Sequence, residues 1–315
     1  MYEELLLKTS HTMLVRLLLV LLLILPTYVV ANSSAYVEVK YISDGKLTSL
    51  HGEKTALGYI FNPDSKKILR LATLEWPPYI SENECNMGWV FQLTVSILVS
   101  KGYQVQIQFL PWVRAVRSVE LGEHDILFPE YYFDSTANSK NLVDTPRLTV
   151  TALSNRFDGG ELRLIKRRGE LDNFDGNLSK LSRKIFGVVR GYQNTPEFDL
   201  MVSKGELITV EAMNEIQLLR MLLANRVDYI VADPKVVNYM VDNSVLTQVQ
   251  KKVLLDGAEN VEPALQYNYL YYAISKKNKN WFDIYSDINS ALANFERASE
   301  IKRIIKESES CYKGN

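Results

Sequence analysis

From Ile68 onward the chain alternates short apolar runs with amphipathic stretches, and this alternation limits the fold more than any other feature. ILRLATL reads as a strand, and GWVFQLTVSILVSKG as a helix ended by Gly102. YQVQIQFLP alternates as a strand, PWVRAVRSVELG is a helix opened by Pro111 and closed by Gly122, and HDILFPE is another strand. A second set follows after TVTALSNRF. KIFGVVRG and ELITVEA read as strands, EFDLMVSKG and MNEIQLLRMLLANR as helices, and VDYIVAD as a buried strand running into the helix PKVVNYMVDN. The long aromatic strand ALQYNYLYYAISK and two further helical stretches complete the chain. Strands and helices in this order predict an α/β fold. The two β-rich passages predict two lobes joined by a double crossover, with a ligand cleft at the carboxyl ends of the strands.

The first 31 residues read differently. Arg16 precedes the ten apolar residues LLLVLLLILP, and small residues follow, which is the pattern of a cleaved secretory signal peptide. The run is about half the roughly 20 residues a membrane span needs. Met13 makes a tighter start for such a signal than Met1. Residues 32–67 are polar and turn-rich, an extension of unknown role. Lys plus Arg (36) nearly balances Asp plus Glu (37), leaving no basic footprint for nucleic acid or an anionic membrane. With three histidines and no CxxC spacing, no metal site or cofactor is expected. The two cysteines, Cys85 and Cys311, are an even pair in an exported chain, which suits either a disulfide or two free thiols.

Candidate chemistry starts in LATLEWPPYI. Two prolines stiffen the backbone between Trp76 and Tyr79 at a strand's end, where the rings serve either as walls of a ligand pocket or as packing under a loop. Asp233 closes VDYIVAD immediately before Pro234, so it suits a cation partner, a helix N-cap, or both. Gly191, Tyr192, Gln193 and Asn194 form a strand-to-helix turn whose N–H groups attract an anion, or an ordinary turn.

The order EWPPY, MGWVFQL, GYQVQIQFLPWVRAVRSVELGEHDIL, FGVVRGYQNTPEF, LLANRVDYIVAD resembles bacterial family 3 extracellular solute-binding proteins, the periplasmic receptors of polar amino-acid ABC transporters. The resemblance implies a type II periplasmic-binding clamshell with the second lobe inserted into the first: lobe 1 at 68–152 plus 258–315, and lobe 2 at 153–257. Hinge segments would lie at 149–155 and 266–272. Cys85 and Cys311 would share a lobe, which favours their disulfide. Trp76 and Tyr79 would stack on the ligand, Asp233 would hold an α-ammonium, and the turn at Gly191 would meet part of a carboxylate.

This chain departs from the family where an arginine binds the α-carboxylate, since Ala137 stands there. Lys140 could replace it only as a point charge, and Arg114, heading a helix with Trp112, is another source. Glu130, Tyr131, Tyr132 and Asp134 stand in the acidic, aromatic segment EHDILFPEYYFD, suiting a cationic or hydroxyl-rich ligand or serving as solvated loop residues. The expected function is non-catalytic: a monomeric periplasmic receptor for a small polar solute, an amino acid or a related amine or organic acid. Its closed form would be read by ABC transporter membrane subunits or a membrane sensor. The alternatives are a dehydratase-like enzyme on this fold, using Glu130 or Asp233 as general acid, and a ligandless adaptor.

Overall fold

The computed structural model describes residues 36–43 and 45–312. The signal peptide expected at residues 1–31 lies outside the described residues. Among those described, no helix is long and apolar enough to cross a membrane.

The first sheet centres on β4 (Ile68–Thr73), which pairs in parallel with β5 (Gln104–Phe109) and with β6 (Ile126–Tyr131). Parallel neighbours need crossovers. Helix α1 (Trp89–Ser100) makes one and α2 (Trp112–Glu120) the other. Burial at nearly every position of α1 explains why its sequence is apolar around most of its circumference. The extension adds three strands, β1 (Tyr36–Ser43), β2 (Lys46–Thr55) and β3 (Gly58–Phe61), joined to the sheet where β3 pairs with β5. Phe61, fully buried, packs edge-on to Phe91 of α1 with ring centroids 5.8 Å apart.

The passage expected as the first hinge, 149–155, instead carries the end of a helical turn, α3 (Arg147–Val150), and a short strand, β7 (Thr151–Leu153). The crossover follows it in β8 (Phe157–Arg167), which links the two sheets. The second sheet sets β8 antiparallel to β11 (Tyr229–Ala232), with β9 (Ile185–Val189) and β10 (Ile208–Ala212) continuing in parallel. It carries α4 (Pro196–Ser203), α5 (Glu215–Leu223), α6 (Pro234–Asp242) and α7 (Gln248–Asp256). The return runs through β12 (Ala258–Asn260), paired to the far half of β8, and β13 (Gln266–Ser275), paired to its near half and then to β6. β8 and β13 are therefore the two crossover strands, and the fold is a two-lobed α/β clamshell.

Two last helices, α8 (Trp281–Arg297) and α9 (Glu300–Tyr312), return to the first sheet. Glu300 of α9 accepts from the backbone N–H of Ile42 in β1 at 2.7 Å. Cys85 and Cys311 are joined in a disulfide, with Cα atoms 6.0 Å apart and 226 positions between them in sequence. Beside it Glu84 is 6% exposed, and neither of its carboxyl oxygens has a hydrogen-bond partner among the described residues. Burial, with a small addition from Glu75, raises its pKa to about 8.

Two outcomes follow for stability. Closing so long a loop restricts the unfolded chain, so Cys311→Ser should lose about 2–5 kcal/mol in urea unfolding. The folded chain holds the Glu84 proton above the ordinary 4.5, so stability should fall as pH rises from 4.5 through about 8. Glu84→Gln should flatten that part of a melting-temperature profile.

Candidate functional site

The EWPPY turn folds back on itself: Trp76 N–H donates to the Ile80 carbonyl at 2.8 Å, and Ile80 N–H returns to Trp76 at 3.1 Å. This turn stacks the Trp76 and Tyr79 rings on each other, centroids 4.4 Å apart at 19°. Tyr131, at the end of β6, meets Trp76 edge-on at 5.6 Å. Both members of the stack are almost wholly buried.

Across the cleft, Asp233 ends β11 and caps α6: its Oδ1 accepts from Lys235 N–H at 2.8 Å. Its Oδ2 accepts from the Tyr79 hydroxyl at 2.7 Å, a buried bond from the first lobe to the second. Of the two roles considered for Asp233, the helix cap is present on Oδ1, while Oδ2 is held by the Tyr79 hydroxyl rather than by a cation. Burial raises its pKa, while the Tyr79 and Lys235 bonds oppose the rise. Gly160 of β8 lies against this pair. A Cβ there would sit 2.1 Å from the Tyr79 hydroxyl and 2.2 Å from Asp233 Oδ2, so only glycine lets the crossover strand pass.

A second bridge runs from Trp112 Nε1 to the Gly191 carbonyl at 2.9 Å. Gly191 has φ +81°, and a Cβ would approach Val113 at 3.1 Å, so its residue type is fixed by backbone and contact together. Tyr192 meets the Trp112 ring edge-on at 6.0 Å. In the expected anion turn, the N–H of Asn194 donates to Asp199 Oδ2 at 2.9 Å, so the chain's own carboxylate holds it.

Trp76, Trp112, Glu130, Tyr131, Tyr192 and Gln193 line a small, partly open inner cavity of about 20 Å³, roughly one water's worth. Leu74, Trp112 and Tyr192 also border a wider opening of about 820 Å³, lined as well by Arg114 and Glu215. Arg114 is exposed at this mouth, away from the inner cavity. Tyr132 is 46% exposed and packs against Tyr271, so it does not join the cavity residues.

Two buried residues not singled out in the sequence, Arg147 and Glu215, stand beside these, as does Tyr131, which the sequence did single out. Arg147 of α3 is 3% exposed and donates from Nε to Glu120 at 2.9 Å and from a terminal nitrogen to Glu130 at 2.8 Å. Its guanidinium also lies 4.0 Å over the Phe133 ring. Burial pushes the Glu130 carboxyl up, against the pull of Arg147. Glu215, in the first turn of α5, is 4% exposed, and burial raises its pKa to about 7. Tyr131 is 7% exposed, and its hydroxyl has no hydrogen-bond partner among the described residues. Its pKa is raised by burial first and then by the charges of Asp233, Glu215 and Glu130.

No protein-family model and no curated protein matches the sequence. Solved structures do, and they carry the two-lobed fold of periplasmic binding proteins. An ancestral arginine-binding protein bound to arginine is 18% identical at TM-score 0.58, covering 77% of this chain and 98% of that one. A histidine kinase sensor domain with similarity to periplasmic binding proteins is 16% identical at TM-score 0.59, covering 77% and 96%. The GluR0 ligand-binding core from Nostoc punctiforme, in complex with L-glutamate, is 15% identical at TM-score 0.56, covering 76% and 98%. At these identities the match establishes the fold, and function must be argued from the cleft.

The cross-cleft bond is open to a direct test. Tyr79→Phe leaves a buried carboxylate oxygen without its donor, a loss of about 1–3 kcal/mol. Gly160→Ala drives the same pair apart. Both variants should show a larger radius of gyration than the parent protein by small-angle X-ray scattering.

Proposed function

We propose that the protein is a non-catalytic receptor of the periplasm, exported by a cleaved signal peptide, that captures a small polar solute between its lobes. The boundaries that fit this reading are 68–152 plus 258–315 for the first lobe and 153–257 for the second. The extension joins the first lobe. The observation that carries the reading is the Tyr79–Asp233 bond, which closes the cleft directly beside an aromatic cavity.

A ligand that shares this closed form shifts the lobes toward it, and closure makes a surface that a second protein can read. Transporter membrane subunits and a membrane sensor are the two readers that fit such a signal. The fold likeness to a histidine kinase sensor domain fits the second of these, and that to an amino acid ABC transporter substrate-binding protein the first. The non-catalytic reading is supported by how the candidate acids are held: Asp233 is tied by two hydrogen bonds, and Glu130 by Arg147 and the Tyr131 N–H. His124, meanwhile, meets Gln108 rather than a cleft acid.

A thermal-shift screen of the mature chain against amines, amino acids, organic acids and sugars tests the reading. A binder at a hundredfold excess over Kd should add roughly 2.7 kcal/mol of stability. Trp76→Ala should lose the shift. If no solute in a broad library produces one, the receptor reading fails and a ligandless adaptor takes its place.

A further inference from the structure

The devices for anions and those for cations in this cleft are treated in opposite ways. Arg147, the buried guanidinium, already faces two protein carboxyl groups, Glu120 and Glu130. Its face is covered by Phe133. Glu120 is held further by Ser139 at 2.6 Å and Asn141 at 2.8 Å, and the other oxygen of Glu130 by the Tyr131 N–H at 2.9 Å. At the turn before α4, the Asn194 N–H and side-chain amide both bind Asp199, at 2.9 Å each. An incoming carboxylate would have to displace a buried protein carboxylate at either place.

The acids facing the cleft have no such cover. Asp233 is buried with only hydroxyl and amide donors on its oxygens. Glu215 is buried nearby, with no ion pair among the described residues, and the Tyr131 hydroxyl is buried without a partner on the wall of the inner cavity. Buried carboxylates are costly unless a cation pairs with them. The charges of these acids reach Tyr131 and Tyr192, which with Trp76 and Trp112 line the small cavity with ring faces and edges that suit an ammonium and an apolar body.

We propose that the cleft takes an organic cation that carries an ammonium group and no carboxylate, the ammonium replacing the Tyr79 hydroxyl on Asp233 and donating to the Tyr131 hydroxyl. This rests on the receptor reading and names the chemistry of its ligand. The Tyr79 hydroxyl stands in for that donor on Asp233, and on binding it yields its place. An α-amino acid offers the same ammonium but brings a carboxylate toward Glu130, Asp233 and Glu215, where Arg147 and the Asn194 N–H already hold protein carboxylates and Arg114 stands out at the exposed mouth.

The test is calorimetry on the mature chain with matched pairs that differ only in the carboxylate: agmatine and arginine, cadaverine and lysine, tyramine and tyrosine, phenethylamine and phenylalanine. At least one amine should bind, and its amino acid should bind at least about tenfold more weakly. Asp233→Asn should weaken the amine by at least about tenfold while the variant's melting curve remains cooperative. If that variant does not fold, Glu215→Gln carries the same test, since it removes a charge and preserves shape. Binding of an amino acid as tightly as its amine, or of an organic acid lacking any amine, overturns the inference and leaves the receptor reading standing. Silence from every amine, amino acid, organic acid and sugar overturns the receptor reading and the inference with it.

Discussion

A buried hydrogen bond between a tyrosine of one lobe and an aspartate of the other sets the distance at which this clamshell closes. Tyr79 and Asp233 are 154 positions apart in sequence, yet each is placed by purely local means. A proline-stiffened turn presents the tyrosine, and a helix cap orients the aspartate. The crossover strand β8 passes alongside the pair, and the missing side chain of Gly160 makes room for the contact. Lobe geometry, cavity size and the environment of the cleft acids all depend on that meeting.

Its electrostatic setting explains the rest of the site. A single guanidinium shared by two buried carboxyl groups satisfies itself inside the first lobe, so it holds α3 against β6 and leaves no open charge for a ligand. Asp233 and Glu215 differ in that burial penalises their charged forms more than their surroundings compensate, Asp233 having only the opposing pull of its hydrogen bonds and of the Lys235 charge. Such groups are stable as acids or as partners of something positive. The aromatic walls exclude water and strengthen whichever partner arrives.

Much of the fold could be read from the sequence because it is written in local periodicity. The strand-helix alternation around β4, β5, β6, β9 and β11 survives intact, as does the capping signal at Asp233. The two prolines marked Trp76 and Tyr79 as a fixed pair of rings, but not that they would stack on each other, with Trp76 alone of the two bordering a cavity. Strand β8 was hidden because Gly159–Gly160 imitates a turn, although Leu162 and Leu164 alternate correctly with Arg163. The partners of Arg147 lie 27 and 17 positions away, a separation that no periodicity marks. Nothing in the sequence marks Glu215 beyond its place in the first turn of an amphipathic helix, since its burial comes from tertiary packing, which sequence spacing does not encode. The extension was opaque for the same reason: its attachment is the pairing of Phe61 with Val105, a purely long-range contact.

The helix that carries Cys311 and the hairpin strand β1 are bound to one another and to the same half of the molecule. Ile42 and Lys40 of β1 bond to Glu300 and Arg303 of α9, and the disulfide pins that helix beside the EWPPY turn. Both end segments therefore form a handle on one jaw. A tether, bead or fusion partner joined through either of them grips that jaw alone, so the other remains free to swing. An immobilised molecule would still open and shut around its two crossover strands.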